Sequence, residues 1–228
     1  MLSAIAGTLP LGLGIALNPI AVVVSILIVR RTEPRRNGVA FALAWVIGLG
    51  LLVIFSAWLL PSLAGVRRDP PPALYSWIWI GVGIVLLLGA ARARRNRPAP
   101  GEPTEAGRWT AILGRGGIVH VFATGLFLSM VSVRNLALLA AAAAVIGQAG
   151  LAPVETAITV AVFVAASALG VALPLVVYLL GGDRADTLLE RWAAWLNLHL
   201  ATMTAVVMAA LGLYLLGRGL GGLFPGAL

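Results

Sequence analysis

One arginine lies where the chain is otherwise apolar. Residues 118–148 form a long apolar stretch, and Ser132, Arg134 and Asn135 interrupt it near its middle. A charge at membrane depth costs at least about 2.5–3.5 kcal/mol on insertion scales and by default marks a functional site. A guanidinium binds carboxylate, sulfate or phosphate through a fork of parallel hydrogen bonds. The pattern therefore predicts a substrate-binding site for an anionic group, formed by Arg134, Asn135 and Ser132.

A second polar interruption lies in the first apolar stretch, residues 8–29. Asn18 and Pro19 stand at its middle. Proline removes a helix hydrogen bond and clashes with the preceding turn, and the asparagine adds polar groups at mid-membrane depth. We expect Asn18 and Pro19 to line the same centre as Arg134. Two ordinary alternatives stay open: Asn-Pro only kinks the helix, and Arg134 extends its side chain to an interface.

The sequence offers no motif of a known catalytic site. None of the eight acidic residues lies in the middle of an apolar stretch, and Glu155 comes nearest, at the start of the fifth. There is no His-Glu-x-x-His, no Gly-Lys-Ser/Thr and no Cys, and the two His are far apart. These features exclude a thiol relay and a conventional zinc site. We expect no enzyme activity, no metal site and no cofactor.

The elements that position these residues are predicted to be membrane helices. Of the 228 residues, 61% are hydrophobic and 11% are charged, whereas soluble domains have roughly 45–50% and about 25%. This composition excludes a soluble domain, a disordered chain and a nucleic-acid-binding protein. A membrane helix needs about 20 apolar residues, and six stretches qualify. They cover roughly residues 8–29, 38–60, 74–91, 118–148, 154–180 and 197–217. The predicted fold class is an all-α integral membrane protein.

The arginines indicate the orientation of the six spans. All 16 basic residues are Arg, and twelve of them fall in the loops at residues 30–37, 92–117 and 181–196. Only Arg67, Arg68 and Arg218 fall on the other side. Cytoplasmic loops carry the excess of positive charge. The three loops are therefore predicted to be cytoplasmic and both termini to lie outside a cell (inner or plasma) membrane.

The chain divides into two similar halves. Residues 1–91 and 118–228 each begin with an interrupted span and continue with two further spans. Because three spans per half is an odd number, the halves are expected to be inverted relative to each other, an arrangement typical of transporters. Residues 92–117 are predicted to be a cytoplasmic linker with a short amphipathic helix at 108–115. A second surface helix is predicted at 183–195.

Three segments carry a resemblance to a known family. Residues 13–49, 122–151 and 195–222 resemble the opening, the start of the second half and the last helix of the GAP family. These are the peptidoglycolipid- and sulfolipid-addressing proteins of actinobacteria, within the wider LysE-type superfamily of six-span exporters. The family usually reads Asn-Pro-Lys-Asn at the break in span four, where this chain has Ser-Val-Arg-Asn. The proline is lost, so a break as sharp as that at Asn18-Pro19 does not follow from the resemblance.

The resemblance implies that the chain moves a lipid or glycolipid toward the cell surface. With Arg134, this makes an amphipathic, anionic lipid the expected substrate and the bilayer the expected surroundings. Because superfamily relatives export amino acids or metal ions, export of a small solute is an alternative. A third is an accessory scaffold of an envelope-lipid export complex that transports nothing itself. The small-residue faces, such as Ala140–Ala144, would allow close helix packing within the bundle or in a homodimer.

Overall fold

The computed structural model describes residues 1–30, 33–63, 72–95 and 117–224. These residues form eight α-helices, and no strand occurs among them. The all-α prediction is confirmed for this part of the chain, and the helix predicted at 108–115 lies outside it. In chain order the helices are α1 (Leu2–Ala16), α2 (Pro19–Val29), α3 (Pro34–Leu63), α4 (Pro72–Arg95), α5 (Ile118–Val131), α6 (Val133–Gln148), α7 (Pro153–Leu180) and α8 (Ala185–Leu223).

The helices provide up to six candidate membrane spans. Four of them, α3, α4, α7 and α8, are each long and apolar enough to cross a membrane. The other four form two bent pairs that pass the same test together: α1 with α2, bent by 57°, and α5 with α6, bent by 61°. If each bent pair counts as one span, the total among the described residues equals the six that the sequence predicted. The chain is therefore a multi-pass membrane protein.

The first break follows from Pro19. A residue before proline is disfavoured in the helical region, and Asn18 is extended, with φ −77° and ψ 102°. Helix α2 then restarts with Pro19 in its first turn, where no N–H is needed. The Asn18 side chain accepts a hydrogen bond from the Ala21 amide at 3.4 Å. The asparagine thus caps the helix that the proline begins.

The second break has the same construction without a proline. Ser132 is extended, with φ −69° and ψ 114°, and its hydroxyl accepts a hydrogen bond from the Asn135 amide at 3.4 Å. Serine is a preferred N-cap residue because its oxygen satisfies one of the free amides of the first turn. The bend is as large as that at Asn18. Loss of the proline has therefore not straightened span four.

The last helix is longer than the sequence predicted. We expected a separate surface helix at 183–195 before the sixth span, but α8 runs unbroken for 39 residues. At 1.5 Å per residue it is about 58 Å long, which exceeds the hydrocarbon core of about 30 Å. Its first part packs on α2 and α7 through Leu189, Ala193 and Leu196, while Leu188 and Trp195 are exposed.

Glycines bring the helices into close contact. A Cβ atom at Gly12 of α1 would lie 3.1 Å from the Phe163 carbonyl oxygen of α7, and one at Gly125 of α5 would lie 2.9 Å from the Phe41 carbonyl oxygen of α3. Helices α4 and α8 meet at Gly83 and Gly212, where a Cβ would lie 2.9–3.0 Å from the facing carbonyl oxygen. Backbones approach this closely in membranes where small residues leave room.

The described arginines collect at one end of the bundle. The end of α2, the start of α3, the end of α7 and the start of α8 meet there, around Val29, Leu175 and Leu189. Arg30, just after α2, pairs with Asp186 and Glu190 of α8 at 3.7 and 3.6 Å. Arg67 and Arg68 lie outside the described residues. Helix α4 runs antiparallel to α8, since Gly83 faces Gly212 and Ser76 faces Gly219, so its last turn points toward the same end. We call this the arginine-rich end, and its described arginines are Arg30, Arg35, Arg36, Arg92, Arg94, Arg95, Arg184 and Arg191.

Candidate binding site at the helix breaks

Arg134 is buried within the bundle. It lies in the first turn of α6, and 6% of its surface is exposed. Its Nη2 atom has no hydrogen-bond partner, and no carboxylate among the described residues forms an ion pair with it. Glu155, the nearest acid in the sequence prediction, instead accepts a hydrogen bond from the Ala152 amide at the start of α7. The guanidinium is therefore desolvated, and its Nη2 atom is free to donate to a ligand.

Asn135 holds the second break together. Its side chain is fully buried, and its Nδ2 atom donates to the carbonyl oxygens of Ser129 at 3.2 Å and Leu128 at 3.4 Å. These carbonyls belong to the last turn of α5, where the helix leaves them unpaired. The Oδ1 atom has no partner. The Nδ2 atom of Asn135 thus stabilises the break, and its Oδ1 atom remains a free acceptor.

The remaining predicted site residues form the caps. Asn18 is 7% exposed, Pro19 is buried and Ser132 is partly buried. The side-chain oxygens of Asn18 and Ser132 each accept a hydrogen bond from a backbone amide of the helix that they cap. Ser129, beside the break, donates to the Leu126 carbonyl at 2.9 Å and contacts Gly48 of α3. Its position agrees with a packing role rather than a ligand-binding one.

Packing of α1 against α6 brings the two breaks to the same region. A Cβ at Gly7 would lie 3.0 Å from Val145 Cγ1, and one at Gly14 would lie 3.2 Å from Leu138 Cδ1. These pairs define an antiparallel register in which α1 runs toward its break as α6 runs away from its own. Four residues after Gly14 comes Asn18, and four residues before Leu138 comes Arg134, so this register brings Asn18 and Arg134 to the same level of the bundle.

Trp45 of α3 is a buried polar residue near the second break that the sequence did not indicate. It is fully buried, and its indole Nε1–H has no hydrogen-bond partner. One turn further along α3, Gly48 contacts Ser129, whose carbonyl accepts from Asn135. A tryptophan in an apolar stretch reads as a packing residue, so only the structure reveals an unpaired buried donor, which is costly unless it gains a partner.

The arrangement favours an anionic ligand. Arg134 contributes a positive charge, and α6 directs the amides of its first turn and the positive end of its dipole toward the break. Asn135 adds an acceptor for a hydroxyl group. Within the described residues, no group of three or more His, Cys, Asp or Glu side chains is placed to hold a metal ion.

The fold and site define a class: a multi-pass helical membrane protein whose first and fourth spans are broken next to a buried arginine that has no ion pair within the described part of the chain. The family model for Sap, sulfolipid-1-addressing protein, matches residues 8–221. The chain belongs to this family, which points to a role in lipid export. The family assignment made from the sequence is thus confirmed. Comparison with curated proteins and with solved structures gave no match.

Proposed function

We propose that this protein is an exporter that moves an anionic amphipathic lipid or glycolipid toward the cell surface. The observation that carries the proposal is Arg134, a buried guanidinium beside the helix breaks that has no counterion among the described residues. A cation in a site of low dielectric constant binds an oxyanion far more strongly than it would in water. Membership of a lipid-addressing family supports a lipid as the carrier of that oxyanion.

We further propose that the two halves form an inverted repeat. Gly12 contacts Phe163 and Ala166, and Gly125 contacts Phe41 and Ala44 in the same way. Each residue of α1 thus corresponds to the residue 113 positions later in α5, as Gly12 does to Gly125. Each residue of α3 corresponds to the residue 122 positions later in α7, as Phe41 does to Phe163.

The same spacings relate further contacts between the halves. Gly170 packs on Ala16, and the residues at the matching positions, Gly48 and Ser129, also pack together. Asn18 and Ser132, which are 114 residues apart, cap the two breaks with the same kind of bond, which a side-chain oxygen accepts from the backbone amide three residues on. Repeated contacts of this kind support two related halves of opposite direction, the arrangement in which transporters place their sites.

The two halves differ most at one pair of helices. Helix α1 packs on α6, whereas the corresponding pair, α2 and α5, makes no comparable contact. Such asymmetry supports a two-repeat carrier that faces one side of the membrane at a time. Helices α2 and α5 join their breaks to the arginine-rich end, so the substrate enters between them from that end.

The replacement Arg134→Gln tests the proposal. The purified protein is reconstituted in liposomes that contain fluorescent phosphatidylglycerol or phosphatidylcholine as the probe. Quenching of the fluorophores in the outer leaflet measures the rate at which each probe moves between the leaflets. Wild-type protein moves the anionic probe faster, and Arg134→Gln lowers that rate by about tenfold or more, because charge-assisted hydrogen bonds are lost. Arg184→Gln, at an exposed arginine, is the matched control and keeps the wild-type rate.

The stability of the variant separates binding from folding. Because Arg134→Gln removes an unpaired buried charge, its thermal stability in detergent stays equal to that of wild type or rises. An unchanged rate for the anionic probe would remove Arg134 from the site. If wild-type protein moves neither probe, the transport proposal fails and the accessory-scaffold alternative is favoured.

A further inference from the structure

A second arginine lies apart from the arginine-rich end, near the end of α8. The Arg218 guanidinium stacks over the Trp79 ring of α4 at 4.3 Å from the ring centroid. Its Nη1 atom donates to the Tyr214 hydroxyl at 3.2 Å. Stacking on tryptophan and a hydrogen bond one turn away hold the planar group in a fixed orientation.

Helix α1 closes one side of this guanidinium. A Cβ at Gly7 would lie 3.4 Å from Nη1 of Arg218 and 3.7 Å from Nη2, and only 3.0 Å from Val145 of α6. Glycine therefore allows α1 to approach both partners. Arg218 of α8 thus lies between α1 and α4, and α6 joins this region through the contact of Val145 with Gly7.

The cluster has more hydrogen-bond donors than acceptors. A guanidinium carries five N–H groups, and the structure gives those of Arg218 one acceptor, Tyr214. No described carboxylate pairs with it, in contrast to Arg30, which has Asp186 and Glu190. The Nε1–H of Trp79 is also buried without a partner. Unpaired donors beside a fixed cation are the chemistry of an oxyanion site.

We propose that Arg218, Trp79 and Tyr214 form a second oxyanion site, which takes the phosphate, sulfate or carboxylate of a lipid headgroup. It is distinct from the Arg134 site, because Val145, which packs against Gly7 beside Arg218, lies eleven residues along α6 from Arg134, about 16 Å at 1.5 Å per residue. It rests on the proposed function for its role: the headgroup is held here as the lipid leaves the bundle at the end opposite the arginine-rich end.

Native mass spectrometry of the delipidated protein tests this site, with phosphatidylglycerol and phosphatidylcholine as probes. Wild-type protein retains phosphatidylglycerol in preference to phosphatidylcholine at two sites. Arg218→Gln retains one phosphatidylglycerol fewer, and Trp79→Phe, which keeps the ring but removes the N–H, weakens the same site. Arg191→Gln, at an exposed arginine of the opposite end, is the matched control and binds as wild type. Competition with inorganic phosphate tells whether the phosphate group suffices or the whole lipid is required.

The outcomes distinguish the two sites. If Arg134→Gln loses no lipid while Arg218→Gln loses one, the site at the breaks fails and this site stands. Equal retention of phosphatidylglycerol by wild type and Arg218→Gln overturns the inference. Equal affinity for phosphatidylcholine also overturns it, because a cationic cluster is expected to reject the trimethylammonium group that this lipid carries beside the same phosphodiester. Arg218→Lys keeps the charge without the fork, so it binds with intermediate affinity if the protein is folded.

Discussion

Asn135 is the residue on which the second break depends. Its amide nitrogen binds two carbonyls at the end of α5, and its backbone amide is capped by Ser132. One residue thus satisfies groups on both sides of the bend. In the first break, Asn18 caps α2 and Pro19 needs no amide partner. A polar side chain caps the second helix of each break, an asparagine in the first break and a serine in the second.

Replacing Asn135 with alanine is expected to destabilise the protein. Two buried carbonyls lose their donor, and leaving a buried polar group unsatisfied costs about 1–3 kcal/mol. Thermal unfolding in detergent measures the change. Asn197→Ala is the matched control, because Asn197 is partly buried and its Oδ1 atom has no partner. An equal loss of stability in both variants would contradict the bridging role of Asn135.

At the scale of elements, the sequence predicted where the spans break but not how. Pro19 acts through covalent geometry, so its effect can be read locally. The bend at Ser132 depends on a local cap, for which serine is a preferred residue, and on the Asn135 side chain reaching back to α5, a contact that forms only once the helix is bent. The boundary predicted near residue 195 followed a change in charge, but no Gly or Pro there ends the helix.

The candidate site was predictable to a similar extent. A charge in an apolar stretch identifies Arg134 from the sequence alone, because few other roles justify its cost. The contact between α1 and α6, at Gly14 and Leu138, has no sequence signal because both residues are typical of membrane helices. The same holds for Trp45, whose unpaired indole N–H depends on its burial.

The close contact of α1 with α7 predicts the effect of one methyl group. A Cβ at Gly170 would clash with the Ala16 backbone, which cannot rotate away, so Gly170→Ala is expected to cost about 1–3 kcal/mol or more. Gly48→Ala meets the side chain of Ser129 and costs less. Gly81 has nothing within 4 Å, so Gly81→Ala is neutral or stabilising by up to about 1 kcal/mol. Thermal unfolding in detergent gives the order, and equal stabilities would refute it.

At the scale of the whole molecule, charge is separated between the two ends. Eight of the ten described arginines lie at the arginine-rich end, Arg134 lies between the ends, and Arg218 lies near the other. Basic residues near span ends stay in the cytoplasm. We therefore propose that the arginine-rich end is cytoplasmic and that both termini lie outside.

Single cysteines test this orientation, because the chain has none of its own. Gln148, at the end of α6, and Thr187, in the first turn of α8, are both exposed and lie at opposite ends. In intact cells a membrane-impermeant maleimide labels Gln148→Cys at once. It labels Thr187→Cys only after the membrane is permeabilised. The reverse result would invert the topology and the proposed direction of export.

The unbroken α8 can act as a lever. Its first turns hold Arg30 through Asp186, its backbone touches α4 where Gly212 meets Gly83, and Arg218 follows six residues later. At 1.5 Å per residue the two arms measure about 39 Å and about 9 Å. If Gly212 is the fulcrum, rotation of a straight α8 moves Asp186 about four times as far as Arg218. A displacement of Arg218 by about 1 Å as it binds a headgroup thus corresponds to a displacement of Asp186 by about 4 Å at the other end of α8.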